Sequence, residues 1–169
     1  VGHPPEKFSR VFARARAMGL HAVAHAGEEG PPAYIWSALD TLQVERIDHG
    51  VQAIQDAALM KRLAQSQVPL TVCPLSNLKL RVFNSLADHN LAQMLDAGLC
   101  VTINSDDPAY FGGYLVDNYV QTFAALHMGA QQAYKLAANS IQASFVTEEQ
   151  KLEWMHELKQ CFMGFSEQD

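Results

Sequence analysis

The sequence predicts an α/β fold in which parallel strands are joined by helices. Short apolar runs alternate with longer amphipathic stretches along its 169 residues. His25, His49 and Cys73 lie at equal spacings of 24 residues (49 − 25 and 73 − 49), and each stands where a predicted strand ends. Active sites of barrels and open α/β sheets lie at the carboxyl ends of the strands, so the same pattern locates the candidate functional residues.

Each predicted element rests on a local pattern. Residues 4–18 place apolar side chains on one helical face and end at Gly19. Residues 31–42 begin with prolines suited to a first helical turn, and residues 68–73 are rich in β-branched side chains. The predicted strands are 21–25, 45–49, 68–73 and 99–104, and the predicted helices are 4–18, 31–42, 54–66, 85–97, 115–128, 130–142 and 147–162.

Composition excludes several classes of protein. Twelve basic and 18 acidic side chains give a formal charge of −6, so no nucleic-acid partner is expected. No window reaches the roughly 20 apolar residues of a membrane span, and no signal peptide is recognisable, so no membrane partner is expected either. Cys73, Cys100 and Cys161 form no C-x-x-C pair, which predicts a cytoplasmic protein without a thiolate zinc finger. The chain lacks an initiator Met, and we expect it to be a piece of a longer protein.

The ends of the first two predicted strands carry candidate catalytic side chains. His25 and Glu28 are separated by a tight turn at Gly27, and their types suit a metal ligand and a general acid. Acidic residues that complement a helix N-terminus would give the same pattern. His49 ends the second strand, where a structural histidine bonded to a backbone carbonyl is the alternative. Asp48 should point away from His49 and is expected to be structural, because side chains alternate along a strand.

Two neighbouring carboxylates, Asp106 and Asp107, follow the fourth predicted strand. One would bind a cation while the other meets a substrate; alternatively, Asp107 caps the turn before Pro108. Together, the five strand-end residues argue for a functional site more strongly than any one alone. The other histidines fall on the tail, on helical stretches or at the far end of a strand, and no role is assigned to them: His3, His21, His89, His127 and His156.

At these residues the sequence resembles the adenosine/adenine deaminase family of metal-dependent hydrolases. The resemblance covers essentially the whole chain. Residues 73–80 and 105–114 are more similar to the adenine deaminase subgroup than to adenosine deaminase. The matching motifs are H-A-G-E at 25–28, D-H-G at 48–50, C-P-L-S-N at 73–77 and S-D-D-P at 105–108.

The resemblance implies a (β/α)₈ TIM barrel. Residues 1–169 would be the C-terminal half of this single domain, about strands five to eight with their helices plus the C-terminal helices. It also implies a Zn²⁺ ion held by His25, Asp106 and an H-x-H pair, and this sequence contains no H-x-H. The other two ligands are therefore expected from a missing N-terminal half, or from another chain that completes the barrel. Such a piece should expose two strand edges and an apolar inner face.

The reaction implied by the resemblance is zinc-dependent hydrolysis of adenine, a small-molecule purine, to hypoxanthine and ammonia. Glu28 would hydrogen-bond purine N1 and donate a proton, His49 would orient or deprotonate the attacking water, and Asp107 would hydrogen-bond purine N7. Adenosine or a modified adenine are alternative substrates. An alternative of another class is a non-catalytic half-barrel that lacks a complete metal site.

Overall fold

The structure, a computed structural model, describes residues 2–166 and contains one four-stranded parallel sheet. The strands are ordered β1-β2-β3-β4, as expected when each helical crossover leads to the neighbouring strand. Their register places His25 beside Asp48, and Asp48 beside Thr71. The strands are β1 (Val23–Ala26), β2 (Arg46–His49), β3 (Leu70–Val72) and β4 (Val101–Ile103).

Helices separate the strands and continue after the last of them. In the part of the chain that the structure describes, no helix has the length and apolar content that crossing a membrane requires. The α-helices are α1 (Ser9–Ala17), α2 (Pro32–Ser37), α3 (Ala57–Ser66), α4 (Pro74–Lys79), α5 (Leu91–Asp96), α6 (Pro108–Phe111), α7 (Leu115–Leu126), α8 (Ala130–Gln142) and α9 (Glu148–Ser166).

The helices depart from the predicted ones mainly behind β3 and β4. The sequence pattern does not predict α4 and α6, because helices of six and four residues are too short to show an amphipathic repeat. The predicted helix 85–97 divides into a 3₁₀ turn at Leu86–Asp88 and the short α5, with His89 and Asn90 between them. The helices α4 and α6 come soon after β3 and β4 end, where the chain turns to place polar side chains.

The core lies between one face of the sheet and the surrounding helices. Side chains that alternate along the strands point into it, and each fully buried Leu, Ile or Val contributes about 1.5–3 kcal/mol. The strand residues Ile47, Leu70, Val72 and Val101 are fully buried there, together with Leu59 and Leu63 of α3, Leu91 and Met94 of α5, and Leu136 of α8.

The opposite face of the sheet is polar, so the expectation of an apolar inner face is wrong. The alternation that directs Ile47 and Leu70 into the core directs their polar neighbours to the other side. That side forms a cavity of about 450 Å³ at the strand ends. The residues that line this cavity are His25, Arg46, Asp48, His49, Thr71, Cys73, Asn104 and Asp106.

Gly27 is expected to be indispensable to the turn after β1. Its φ is +69°, and a Cβ there would overlap the side chain of Ile35 in the core. Gly27→Ala should lower the free energy of unfolding by about 2–5 kcal/mol, since left-handed backbone costs about 1–2 kcal/mol and overpacking about 1–3 kcal/mol. Gly98→Ala is the matched control: its φ is +83°, and no atom lies within 4 Å of an added Cβ. Urea denaturation compares the two, and equal losses would contradict this assignment.

Candidate active site

Four of the five predicted residues converge where the strands end. Glu28 Oε1 lies 3.2 Å from His49 Nδ1, and His49 Nε2 lies 3.9 Å from Asp106 Oδ2. The ring of His25 lies 5.0 Å from the ring of His49, centroid to centroid. Both nitrogens of His49 therefore face carboxylates, although its side chain is only 2% exposed.

Asp107 lies beside this cluster and caps α6. Its Oδ1 accepts hydrogen bonds from the backbone N–H groups of Ala109 and Tyr110, each at 3.1 Å. This is the alternative that the sequence left open. The two roles use different atoms, because both capping bonds end on Oδ1. A contact from Asp107 to a purine stays a prediction.

The backbone at the site is held in an uncommon conformation. His49 and Asp106 have φ values of 66° and 57°, and Gly50 follows at 71°. Residues other than glycine cost of order 1–3 kcal/mol in such regions and cluster at functional sites. The turns re-aim both side chains as their strands end, which explains how His49 and Asp48 line the same cavity although they are neighbours in β2.

Asp48 holds His25 in place. Its Oδ2 lies 3.1 Å from His25 Nδ1, and its Oδ1 accepts a 2.7 Å hydrogen bond from the hydroxyl of Thr71. The hydrogen bond that His25 donates to Asp48 raises the pKa of His25, and the same bond lowers the pKa of Asp48. A carboxylate on one ring nitrogen is the usual outer partner of a metal-binding histidine, and it leaves Nε2 as the nitrogen for a metal.

The carboxylate of Asp106 is also fixed by neighbours. Ser76 donates its hydroxyl to Oδ2 at 2.7 Å, and the backbone N–H of Asp107 donates to Oδ1 at 2.8 Å. Ser76 is fully buried on α4, so this short unpredicted helix has a direct part in the site. Asp106 is thus held in one orientation with lone pairs remaining for a cation.

The donor set at the strand ends fits a metal ion. Among the described residues 2–166, one group of three side chains brings potential metal-binding atoms together. It consists of His49, Cys73 and Asp106, whose donor atoms lie within 4.8 Å of one another. Nitrogen, sulfur and oxygen donors of these types all bind Zn²⁺. His25 is outside this group, and burial raises the pKa of the Cys73 thiol to about 12. Asp106 is common to this group and to the predicted pair of His25 and Asp106.

Burial shifts the pKa values of Glu28 and His49 in opposite directions. Burial, reinforced by the charge of Asp106, raises the pKa of Glu28, so its carboxyl keeps a proton to higher pH. Burial lowers the pKa of His49 to about 4, so its ring is neutral near pH 7. A carboxyl with a raised pKa suits a general acid, and a neutral imidazole suits a proton acceptor.

Two buried residues at the site were missed by the sequence interpretation. Asn77 is fully buried and donates to Glu28 Oε1 at 2.9 Å, and His89 Nε2 lies 3.3 Å from Asn77 Oδ1. Asn77 lies within the C-P-L-S-N motif, which is a signal that could have found it. His89 was placed on a helix without a role, and nothing local in its sequence indicates the contact.

Parallel strands that end in histidines and fixed carboxylates are typical of one class of protein, the metal-assisted hydrolases of the α/β barrel type. Comparison with known families agrees with that class. The model of the adenosine deaminase family matches residues 1–161. The chain therefore belongs to the adenosine deaminase family.

Two curated relatives that are similar to the chain are adenine deaminases. The chain is 65% identical to the adenine deaminase of Albidiferax ferrireducens over 165 residues, which are 98% of this chain and 48% of the relative. It is also 65% identical to the adenine deaminase of Trichlorobacter lovleyi over 162 residues, 95% of this chain and 46% of the relative. The chain spans about half the length of the curated relatives it matches.

Solved structures confirm the predicted α/β fold class. The crystal structure of adenine deaminase from Arthrobacter aurescens matches with a TM-score of 0.92 and 52% identity, over 94% of this chain and 49% of that one. An amidohydrolase from Burkholderia ambifaria with bound Zn matches with a TM-score of 0.91 and 26% identity, over 99% and 47%. Both matches are consistent with part of a (β/α)₈ barrel.

His89 makes the stability of the protein sensitive to acid. Burial lowers its pKa from 6.5 to about 4, so the unfolded chain binds this proton more tightly than the folded protein does. The contribution of neutral His89 to the free energy of unfolding is complete above pH 6.5 and is lost as the pH falls towards 4. Urea midpoints measured from about pH 7 to about pH 4.5 should fall less for His89→Gln than for the unsubstituted protein. Identical pH dependences would contradict a buried, neutral His89.

Proposed function

We propose that the protein containing this chain is a zinc-dependent adenine deaminase that hydrolyses adenine to hypoxanthine and ammonia. One observation carries the proposal: the contacts that join Glu28, His49 and Asp106 at the strand ends, in a chain 65% identical to adenine deaminases. The substrate class follows from these relatives, and the reaction class from the donor set and the protonation behaviour of the site.

We further propose that residues 1–169 are the C-terminal half of one barrel domain. The supporting observations are the coverage of about half of each relative and the sheet order, in which β1 and β4 are paired on one side only among the described residues. The N-terminal half, or another chain that completes the barrel, would supply two histidine ligands. The partners proposed are this half and a small-molecule purine, with no nucleic acid and no membrane.

The metal proposed is Zn²⁺, held by His25 and Asp106 together with those two histidines. The fixed orientations of both side chains, through Asp48 and Ser76, support the assignment. When bound, Zn²⁺ supplies Lewis-acid activation of water near neutral pH. A cytoplasmic location is proposed as well, supported by the absence of disulfides among the three cysteines, Cys73, Cys100 and Cys161, all within the described residues.

The protein side chains would move the protons. As water adds to C6 of the purine, the proton of Glu28 passes to N1, and His49 accepts a proton from the attacking water. His49 then protonates the departing amine, and the remaining hydroxyl proton returns to Glu28 as the C6 carbonyl forms. Asp107 would contact N7 through Oδ2, since Oδ1 caps α6. The sum is adenine plus water to hypoxanthine plus ammonia.

The test is ultraviolet assay of the full-length protein on adenine and adenosine. Hypoxanthine should form, and Glu28→Gln should keep its zinc but lose about 10²- to 10⁴-fold in kcat, because the acid is removed. Glu29→Gln is the matched control, as this neighbouring carboxylate is exposed. If the unsubstituted protein makes no hypoxanthine, the function is wrong; if Glu28→Gln turns over as fast as Glu29→Gln, the acid is misassigned.

A further inference from the structure

Three linked hydrogen bonds, two buried and one partly buried, join the backbone of α5 to the carboxyl of Glu28. The backbone N–H of Leu91 donates to His89 Nδ1 at 3.1 Å, His89 Nε2 lies 3.3 Å from Asn77 Oδ1, and Asn77 Nδ2 donates to Glu28 Oε1 at 2.9 Å. The two middle residues are 4% and 0% exposed. The acid is therefore connected to a rigid element through partners that water does not reach.

The donor and acceptor roles along these linked hydrogen bonds are set at Leu91, the end farthest from Glu28. A backbone N–H can only donate, so His89 Nδ1 accepts from Leu91. The ring is neutral because burial lowers its pKa to about 4, and its one N–H must then be on Nε2, facing Asn77 Oδ1. The tautomer of His89 thus decides which way the amide of Asn77 points.

The orientation of the Asn77 amide decides whether its NH₂ group or its oxygen faces Glu28. With Oδ1 occupied by His89, the NH₂ group of Asn77 faces Glu28 Oε1 at 2.9 Å and His49 Nδ1 at 3.3 Å. A flipped amide would direct an oxygen at Glu28 Oε1 instead of a donor. Oε1 also lies 3.2 Å from His49 Nδ1. With the one N–H of the neutral His49 ring on Nδ1, Oε1 accepts from two sides, and His49 Nε2 is the nitrogen that can accept a proton. The remaining oxygen, Oε2, is left to carry the acidic proton.

We propose that Asn77, oriented by His89, is a positioning residue for the general acid, holding Glu28 Oε1 as an acceptor so that the transferable proton is on Oε2. The inference rests on the proposed deaminase function. It also explains why a histidine far from the strand ends in sequence is buried at this point. Because the pair acts on proton transfer rather than on purine binding, its loss should lower kcat while KM changes little.

The experiment measures kcat and KM for adenine in the zinc-loaded full-length enzyme. Asn77→Asp keeps the acceptor for His89 but removes the NH₂ donor. The ring of His89 lies 4.3 Å from that of Phe83, centroid to centroid, so His89→Phe keeps an aromatic ring there but removes the donor to Asn77. Each should lose about 10- to 100-fold in kcat, the usual effect of an outer partner, with bound zinc unchanged. His89→Gln, whose amide can donate to Asn77, should recover part of the kcat lost in His89→Phe.

The matched control is Asn90→Ser. Asn90 is buried next to His89 and donates to the carbonyl of Val51 at 2.7 Å, outside the proposed chain of bonds. It should lose thermal stability without losing kcat. If Asn77→Asp does not fold, the comparison of His89→Phe with His89→Gln decides alone.

Each remaining outcome overturns a distinct claim. An unsubstituted enzyme that does not deaminate adenine overturns the proposed function and this inference together. If the unsubstituted enzyme is active but the variants keep its kcat, or show a raised KM with kcat unchanged, the positioning role alone is overturned. A kcat of His89→Gln as low as that of His89→Phe also overturns it, because the donor would then be irrelevant.

Discussion

The contact of buried His49 with the carboxylates of Glu28 and Asp106 joins the ends of β1, β2 and β4. Oxygens of the two carboxylates lie 3.2 Å and 3.9 Å from the two nitrogens of a ring that is almost free of solvent. Such a cluster is costly to bury unless its members are bonded or exchange protons. The structure meets this cost by keeping His49 neutral, raising the pKa of Glu28 and bonding Asp106 to Ser76 and to a backbone N–H.

The two faces of the sheet have different roles. One face carries the aliphatic side chains that pack against the helices and stabilise the strands. The other carries Arg46, Asp48, Thr71 and Asn104, so the side on which a further half of the barrel would close is polar. Asp48 belongs to this face and fixes His25, which ties the orientation of this proposed metal ligand to the register of β1 and β2. Changes in register would therefore reach the site directly.

The strands and the convergence of four site residues can be predicted from the sequence. The strands follow from apolar runs at regular spacing, and the convergence of His25, Glu28, His49 and Asp106 follows because parallel strands end at one edge. That Asp48 bonds His25 does not follow, since it depends on inter-strand register. Asn77 and His89 could not be assigned for a similar reason. Their contacts join segments that are distant in sequence, and they depend on a short helix that has no amphipathic signal.

We propose that the metal ligands from this chain are His25 and Asp106. The most direct test is a crystal structure of the full-length protein with zinc located by anomalous diffraction at its absorption edge. We predict zinc bonded to His25 Nε2 at about 2.0–2.1 Å and to an oxygen of Asp106, with Cys73 outside bonding distance. Zinc bonded to Cys73 at about 2.3 Å and to His49, with His25 unbound, would contradict the assignment of His25 as a ligand.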